Sequence, residues 1–157
     1  MIARIASIAF VLFAATSGYG KCQVDNSDQV KPVNPISEEE AINQLKGIYS
    51  NLQKNRDGTV RFVRFSKSSV TNEHVAKTAA FHNIDYLAVV TPKVTDSGLS
   101  HVGSLTNLEV FNLFSNNFDG AIPAAICSLR NEPGSLQDLS ADCEKDNFSC
   151  HCCTRCF

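Results

Sequence analysis

Between Ser104 and Leu129 the apolar side chains fall at 105, 108, 111, 113, 118, 122, 126 and 129. A single helix would repeat near 3.6 residues and a long strand at 2, and the spacing obeys neither. The pattern instead repeats along the chain. A shift of 24 residues carries Leu108, Phe111, Leu113, Phe118 and Leu129 onto Ile84, Leu87, Val89, Val94 and Leu105. A second shift reaches Val60, Val63, Phe65, Val70 and Phe81. Every position is apolar in all three copies. A partial fourth copy, with Leu136, Leu139 and Ala141, arrives four residues late because "RNEPG" lengthens the preceding turn. A fixed period of this length predicts stacked units, each with one short parallel strand and a returning segment, that share one interior.

Alternation along each strand then sorts the side chains. Residues such as 111 and 113 point inward. Those between them form three rows on the other, concave face: Phe62, Tyr86, Val110 and Asp138; Arg64, Ala88, Asn112 and Ser140; Ser66, Val90, Phe114 and Asp142. An uncovered sheet face is expected to be polar, and this one carries aromatic and aliphatic side chains. Such a patch marks an interaction site. Phe62, Tyr86, Val90, Val110 and Phe114 are the expected apolar contacts, with Arg64 and Asn112 as polar ones.

The pattern L-x-x-L-x-L-x-x-N-x-F resembles the leucine-rich repeat family. "LEVFNLFSNNFDGAIPAAICSL" looks like the plant-type extracellular repeat, with Asn116, Gly120, Ile122 and Pro123 on its N-x-x-x-G-x-I-P hallmark. The earlier copies look like a V-T-D-x-G-L variant, with Pro92 and Ser68 in place of the Asn. The resemblance covers roughly residues 57–143. It implies an α/β solenoid, a short horseshoe segment with a parallel sheet, repeats over 57–142 and roles in recognition, adhesion or inhibition. Asn116 is expected to satisfy turn backbone groups, and Gly120 to adopt angles closed to other residues.

Both ends of such a stack need covers. "PISEEEAINQLKGIYSNLQKN" predicts an N-terminal capping helix over 37–55. Ser37 and Glu40 form a capping-box pattern, and Ala41, Ile42, Leu45, Ile48, Tyr49 and Leu52 recur at helical steps. Its run of Glu38, Glu39 and Glu40 argues against a membrane-surface helix, which wants a basic polar face. At the other end, Cys127, Cys143, Cys150, Cys152, Cys153 and Cys156 crowd together. A cap over 143–157 is expected, and the resemblance supports it. A bridge from Cys127 to Cys143 would contribute roughly 3 kcal/mol in the chain-entropy model, although six cysteines allow 15 pairings. Zinc is the rival reading, with His151 and four of those cysteines as ligands.

Composition places the chain. Residues 1–20 have Arg4, an apolar stretch from Ile5 to Ala15 and small residues after it, the layout of a secretory signal peptide. Export favours disulfides over zinc. A polar leader over 21–36 follows, and Cys22 within it is unmatched, so a Cys22-linked dimer is open. No second long apolar run predicts a membrane span in the mature chain. Net charge is −2 with no basic block on the scale that nucleic acid requires. Asn147 and Ser149 form a glycosylation acceptor pattern. No G-x-S-x-G, H-E-x-x-H or phosphate loop occurs, His74, His82 and His101 fall on convex segments, and no cofactor or catalytic residue is expected. The expected function is a secreted module that binds a protein or carbohydrate on the concave face. The alternative is a wall or matrix component assembling through disulfides and its sheet face.

Overall fold

The computed structural model describes residues 36–116, 118–143 and 148–157. The expected signal peptide, nearly all of the expected leader with Cys22, and Asn147 lie outside the described residues.

Six strands form one mostly parallel sheet that does not close on itself. They are β1 (Asn51–Lys54), β2 (Val60–Phe65), β3 (Tyr86–Val89), β4 (Val110–Leu113), β6 (Asp138–Ala141) and β8 (Arg155–Cys156), side by side in chain order. Phe62 pairs with Tyr86, Tyr86 with Val110 and Val110 with Asp138, register steps of 24, 24 and 28 residues. The longer step holds "RNEPG", whose Glu132–Pro133 bond is cis. A small second sheet pairs β5 (Gly120–Ala121) with β7 (Phe148–Ser149).

Helices α2 (Asn72–Ala76), α3 (Asp96–Leu99) and α4 (Ala124–Ser128) lie in the segments that return from one parallel strand to the next. Val63, Phe65, Leu87, Val89, Phe111, Leu113, Leu139 and Ala141 are fully buried on the sheet's inner face. Val75, Leu99, Val102 and Ile126 from the returning segments are equally buried in the same cluster. Burial of each such large side chain is worth about 1.5–3 kcal/mol. The alternation that sorted these residues therefore produces one continuous interior.

Two sequence-derived turn roles hold. Asn116 is nearly buried, and its Oδ1 accepts from the Thr91 backbone N–H at 2.8 Å. Its Nδ2 donates to the carbonyls of Val89 and Leu113 at 2.5 and 2.6 Å. One amide thus links two neighbouring units. Gly120 has φ +109°, where a side chain would be strained.

The N-terminal end corrects the expected helix over 37–55. Helix α1 covers only Glu38–Gln44, with the Ser37 side chain accepting from the Glu40 N–H at 3.1 Å. Gly47 follows at φ +82°, a conformation that ends helices. Residues 51–54 then form β1, antiparallel to β2. Two forces outweigh the helical spacing here. An open edge of β2 would leave its backbone groups unpaired. Asp57-Gly58, with Gly58 at φ +88°, also makes the tight turn that hairpins favour. The apolar spacing still does its work, since Ala41 and Leu45 are fully buried and Leu52 packs on the core.

The C-terminal end corrects the Cys127–Cys143 bridge. The disulfides are Cys127–Cys152, Cys143–Cys156 and Cys150–Cys153. The reason is β8, which pairs in register beside β6, Ala141 opposite Cys156. That places Cys143 near Cys156 and leaves Cys127, on α4, to the loop before it. Rather than only folding over the core, the last residues add a strand to the sheet.

Candidate functional site

The candidate site is the open face of the large sheet. Register places its first row as Gln53, Phe62, Tyr86, Val110 and Asp138 across β1 to β6. The second row is Asn51, Arg64, Ala88, Asn112, Ser140 and Arg155. Val90, Phe114 and Asp142 follow one position beyond the strand ends, with Phe157 next to the last of them. The predicted contact residues therefore come together on one surface. Gln53, Asn51, Arg155 and Phe157 belong to it too, and the sequence reading missed them. The first two were hidden inside an apparent helix. The other two sit in the short T-R-C-F alternation of a stretch that reads as a disulfide cluster.

The rows differ in size, and that gives the face its relief. Phe62, Tyr86 and Val110 are half-buried and stand as one ridge. Val90, Phe114 and Phe157 stand as another. Between them the row alternates: Arg64 is exposed and Asn112 half-buried, while Ala88 and Ser140 are each only 2% exposed. These two small side chains are the low points of a shallow trough that runs across the strands, with the polar Arg64 and Asn112 standing in it. The ridges lie four residues apart along each strand, about 13 Å, and the trough crosses β2 to β6 over about 14 Å.

Ring geometry decides what the ridges present. Phe62 and Tyr86 are stacked with centroids 4.5 Å apart and planes 16° apart. Gln53 and Val110 stand beside this pair on the flanking strands. Stacking therefore covers one face of each ring. On the other ridge Phe114 meets Phe157 edge-on at 6.0 Å. Phe157 is 56% exposed, the most exposed large apolar residue described.

Polar groups on this face are held. Asn112 Oδ1 accepts from the Phe114 N–H at 3.1 Å. Asp138 takes an ion pair from Arg155 and a hydrogen bond of 2.7 Å from the Thr154 hydroxyl. Asp142 Oδ2 accepts from the Asn116 N–H at 2.8 Å. The two acids that alternate on β6 and just beyond it are thus engaged by different partners. Arg64 is exposed and has no ion pair among the described residues.

Other chemistry-bearing groups lie elsewhere. His74 is more than a surface residue: its Nδ1 accepts from the Thr71 N–H at 3.0 Å and helps to cap α2. His82 and His101 are exposed. Ligand atoms of Cys127, His151 and Cys152 lie within 4.8 Å of one another, but the two sulfurs are joined in one disulfide. A bridged sulfur is not the thiolate that binds zinc. On α3, in the segment between β3 and β4, burial and then the nearby Asp119 push the Asp96 carboxyl upward. Its Oδ1 has no hydrogen-bond partner among the described residues.

No described helix is long and apolar enough to cross a membrane. No protein-family model matches the chain, and no curated protein sequence matches it.

Proposed function

We propose that this chain is a secreted leucine-rich repeat module, without catalytic activity, that holds a protein partner on its open sheet face. The occupant is an extended polypeptide segment lying in the trough across β2, β3, β4 and β6. The relief itself carries this reading: Phe62, Tyr86 and Val110 on one side and Val90, Phe114 and Phe157 on the other flank a row in which the small Ala88 and Ser140 alternate with the polar Arg64 and Asn112. A width of about 13 Å suits one extended chain with its side chains. Apolar ridges with polar margins match the anatomy of protein-binding surfaces, in which a few buried aromatics supply most of the affinity.

The ring geometry favours protein over carbohydrate. Sugars pack their C–H faces on open aromatic faces, and Phe62 and Tyr86 each have one face covered by the other. Secretion rests on the signal-peptide layout of residues 1–20 and agrees with three disulfides in a small domain. The repeat reading rests on the 24-residue spacing and on the register that follows it.

The test is partner capture by the mature, oxidised chain, followed by titration of the captured protein against variants. Tyr86→Ser with Phe114→Ser removes one aromatic from each ridge. Each is expected to cost about 2 kcal/mol of binding, so Kd rises by two orders of magnitude or more, with the thermal midpoint little changed. Unchanged affinity would sink the trough as the site. Retention of polysaccharide but of no protein would reassign the ligand.

A further inference from the structure

Charge along this chain is unevenly placed. Residues 45–71 carry Lys46, Lys54, Arg56, Arg61, Arg64 and Lys67 against Asp57 alone, in a chain whose overall balance is −2. The rest of the protein is therefore acidic, and the basic character gathers at the β1–β2 hairpin and its flanks. Lys54, Asn55, Arg56, Asp57 and Arg61 share one surface depression at the hairpin turn. Arg61 is committed to Asp85 at 2.9 Å. Lys54, Arg56 and Arg64 have no ion pair among the described residues.

The single acid among them is used inside the turn. Asp57 Oδ1 accepts from the Thr59 N–H at 3.0 Å and from its hydroxyl at 2.7 Å. Asn55 closes the same turn, its N–H donating to the Thr59 carbonyl at 2.8 Å and its Nδ2 to the Thr59 hydroxyl at 3.1 Å. The loop that carries Arg56 is thus pre-formed, and little ordering cost remains for a ligand to meet. Beside it runs the outer edge of β1, which has no strand next to it among the described residues. A lysine on an edge strand repels a second copy of itself. The same charge attracts a strand of opposite sign.

We propose that the β1–β2 hairpin is a second docking site, separate from the trough, for an acidic extended polypeptide segment. Lys54 and Arg56 draw it in, and it lies along the outer edge of β1. An edge with no neighbouring strand among the described residues favours a polypeptide over an acidic polysaccharide, which has no backbone N–H and C=O ladder to pair with it. The attraction is exposed and electrostatic, so it weakens as salt rises through the range where the Debye length falls to about 10 Å and below.

The test uses the mature, disulfide-intact chain and a fluorescein-labelled oligoglutamate peptide, read by fluorescence anisotropy at low and physiological salt. Oligogalacturonate serves as a competitor of the same charge sign. Lys54→Glu with Arg56→Glu is expected to weaken peptide binding about tenfold or more. Lys77→Glu with Lys93→Glu, the same charge change elsewhere, is expected to leave it within about twofold. Lys54→Arg with Arg56→Lys keeps the charge and should keep binding, which separates electrostatics from misfolding. The trough variant Tyr86→Ser with Phe114→Ser should still bind the peptide, so loss of the trough reading leaves this one standing. Hydrogen exchange at Asn51–Lys54 should slow when peptide is added. Equal loss in both charge-reversed variants, no peptide binding at low salt, stronger binding of oligogalacturonate, or unprotected β1 amides would each overturn the proposal.

Discussion

The two ends of the large sheet meet the same physical demand in different ways. Each must pair an otherwise open strand and cover the last layer of core. At the N-terminal end a short helix and an antiparallel hairpin suffice, with no covalent link among the described residues. Ala41 and Leu45 seal the interior, and Glu38 accepts from the Val60 N–H at 2.8 Å to tie helix to strand. At the C-terminal end the added strand has only two residues, Arg155–Cys156. Too little apolar surface is available there to hold it, since Arg155 and Cys156 are both exposed. Three disulfides do instead what packing does at the other end. Where a terminal segment can bury side chains it needs no crosslink, and where it cannot, the crosslink replaces the core.

The sharpest way to break this symmetry is to remove the bridges singly. Chain entropy ranks them by loop length. Cys127–Cys152, with a separation of 25, is expected to contribute about 3.5 kcal/mol, and Cys143–Cys156, with a separation of 13, about 3 kcal/mol. Cys150–Cys153, with a separation of 3, is expected to contribute about 2 kcal/mol. Paired Cys→Ala variants followed by urea unfolding should reproduce that order. If loss of Cys150–Cys153 proved the most damaging, loop closure would not be what holds this end.

The matching attack on the other end is a cavity. Leu45→Ala removes a fully buried side chain from the seam between α1 and the sheet. A loss of about 3 kcal/mol in urea unfolding is expected, comparable with one of the longer bridges. Reducing agent should leave that loss unchanged. A loss under about 1 kcal/mol would mean that the N-terminal cover is not sealed by packing.

The same contrast governs what could be read from the sequence. Burial in the middle was legible because one residue type at a fixed period maps to one side of a strand, as with Leu87 and Phe111, which pair in register. Even the four-residue delay before Leu139 was visible. The ends were harder, because each is made once and has no second copy to compare. Ile48, Tyr49 and Leu52 fit a helical face, yet Gly47 and the Asp57-Gly58 turn together decide for a hairpin. Both cues were in the sequence, and the helical spacing outvoted them. Disulfide partners depend on where β8 docks, which spacing between cysteines does not encode. The trough was half legible: the rows were predictable, while the ridge-and-floor relief emerges only when Ala88 and Ser140 are seen as nearly closed over. Phe157 joins the site because a terminal strand of two residues brings it there.

The smallest expected effect separates the ends by acidity rather than by redox state. Thr59's hydroxyl, and after it Thr59's backbone N–H, hold the Asp57 carboxyl below the usual carboxylate range. A carboxylate lowered by folding stabilises the protein above its unfolded value, near 3.9, and that stabilisation is lost as pH falls through the lowered folded value. Asp96 has the opposite sign. Its carboxyl is raised, first by burial and then by Asp119, so its contribution is present at low pH and lost as pH rises through the raised value. A bare pH curve would mix the two, and Asp57→Asn isolates the hairpin. The difference in urea midpoint between wild type and Asp57→Asn should be present near pH 6 and should shrink as pH falls below about 4. Because Asp57 is exposed, the shift is expected to be small beside the loss of any disulfide. A difference that stays constant across that range would show that the turn is held by the shape of residue 57 rather than by its charge, and the N-terminal cover would then have no acid-sensitive latch.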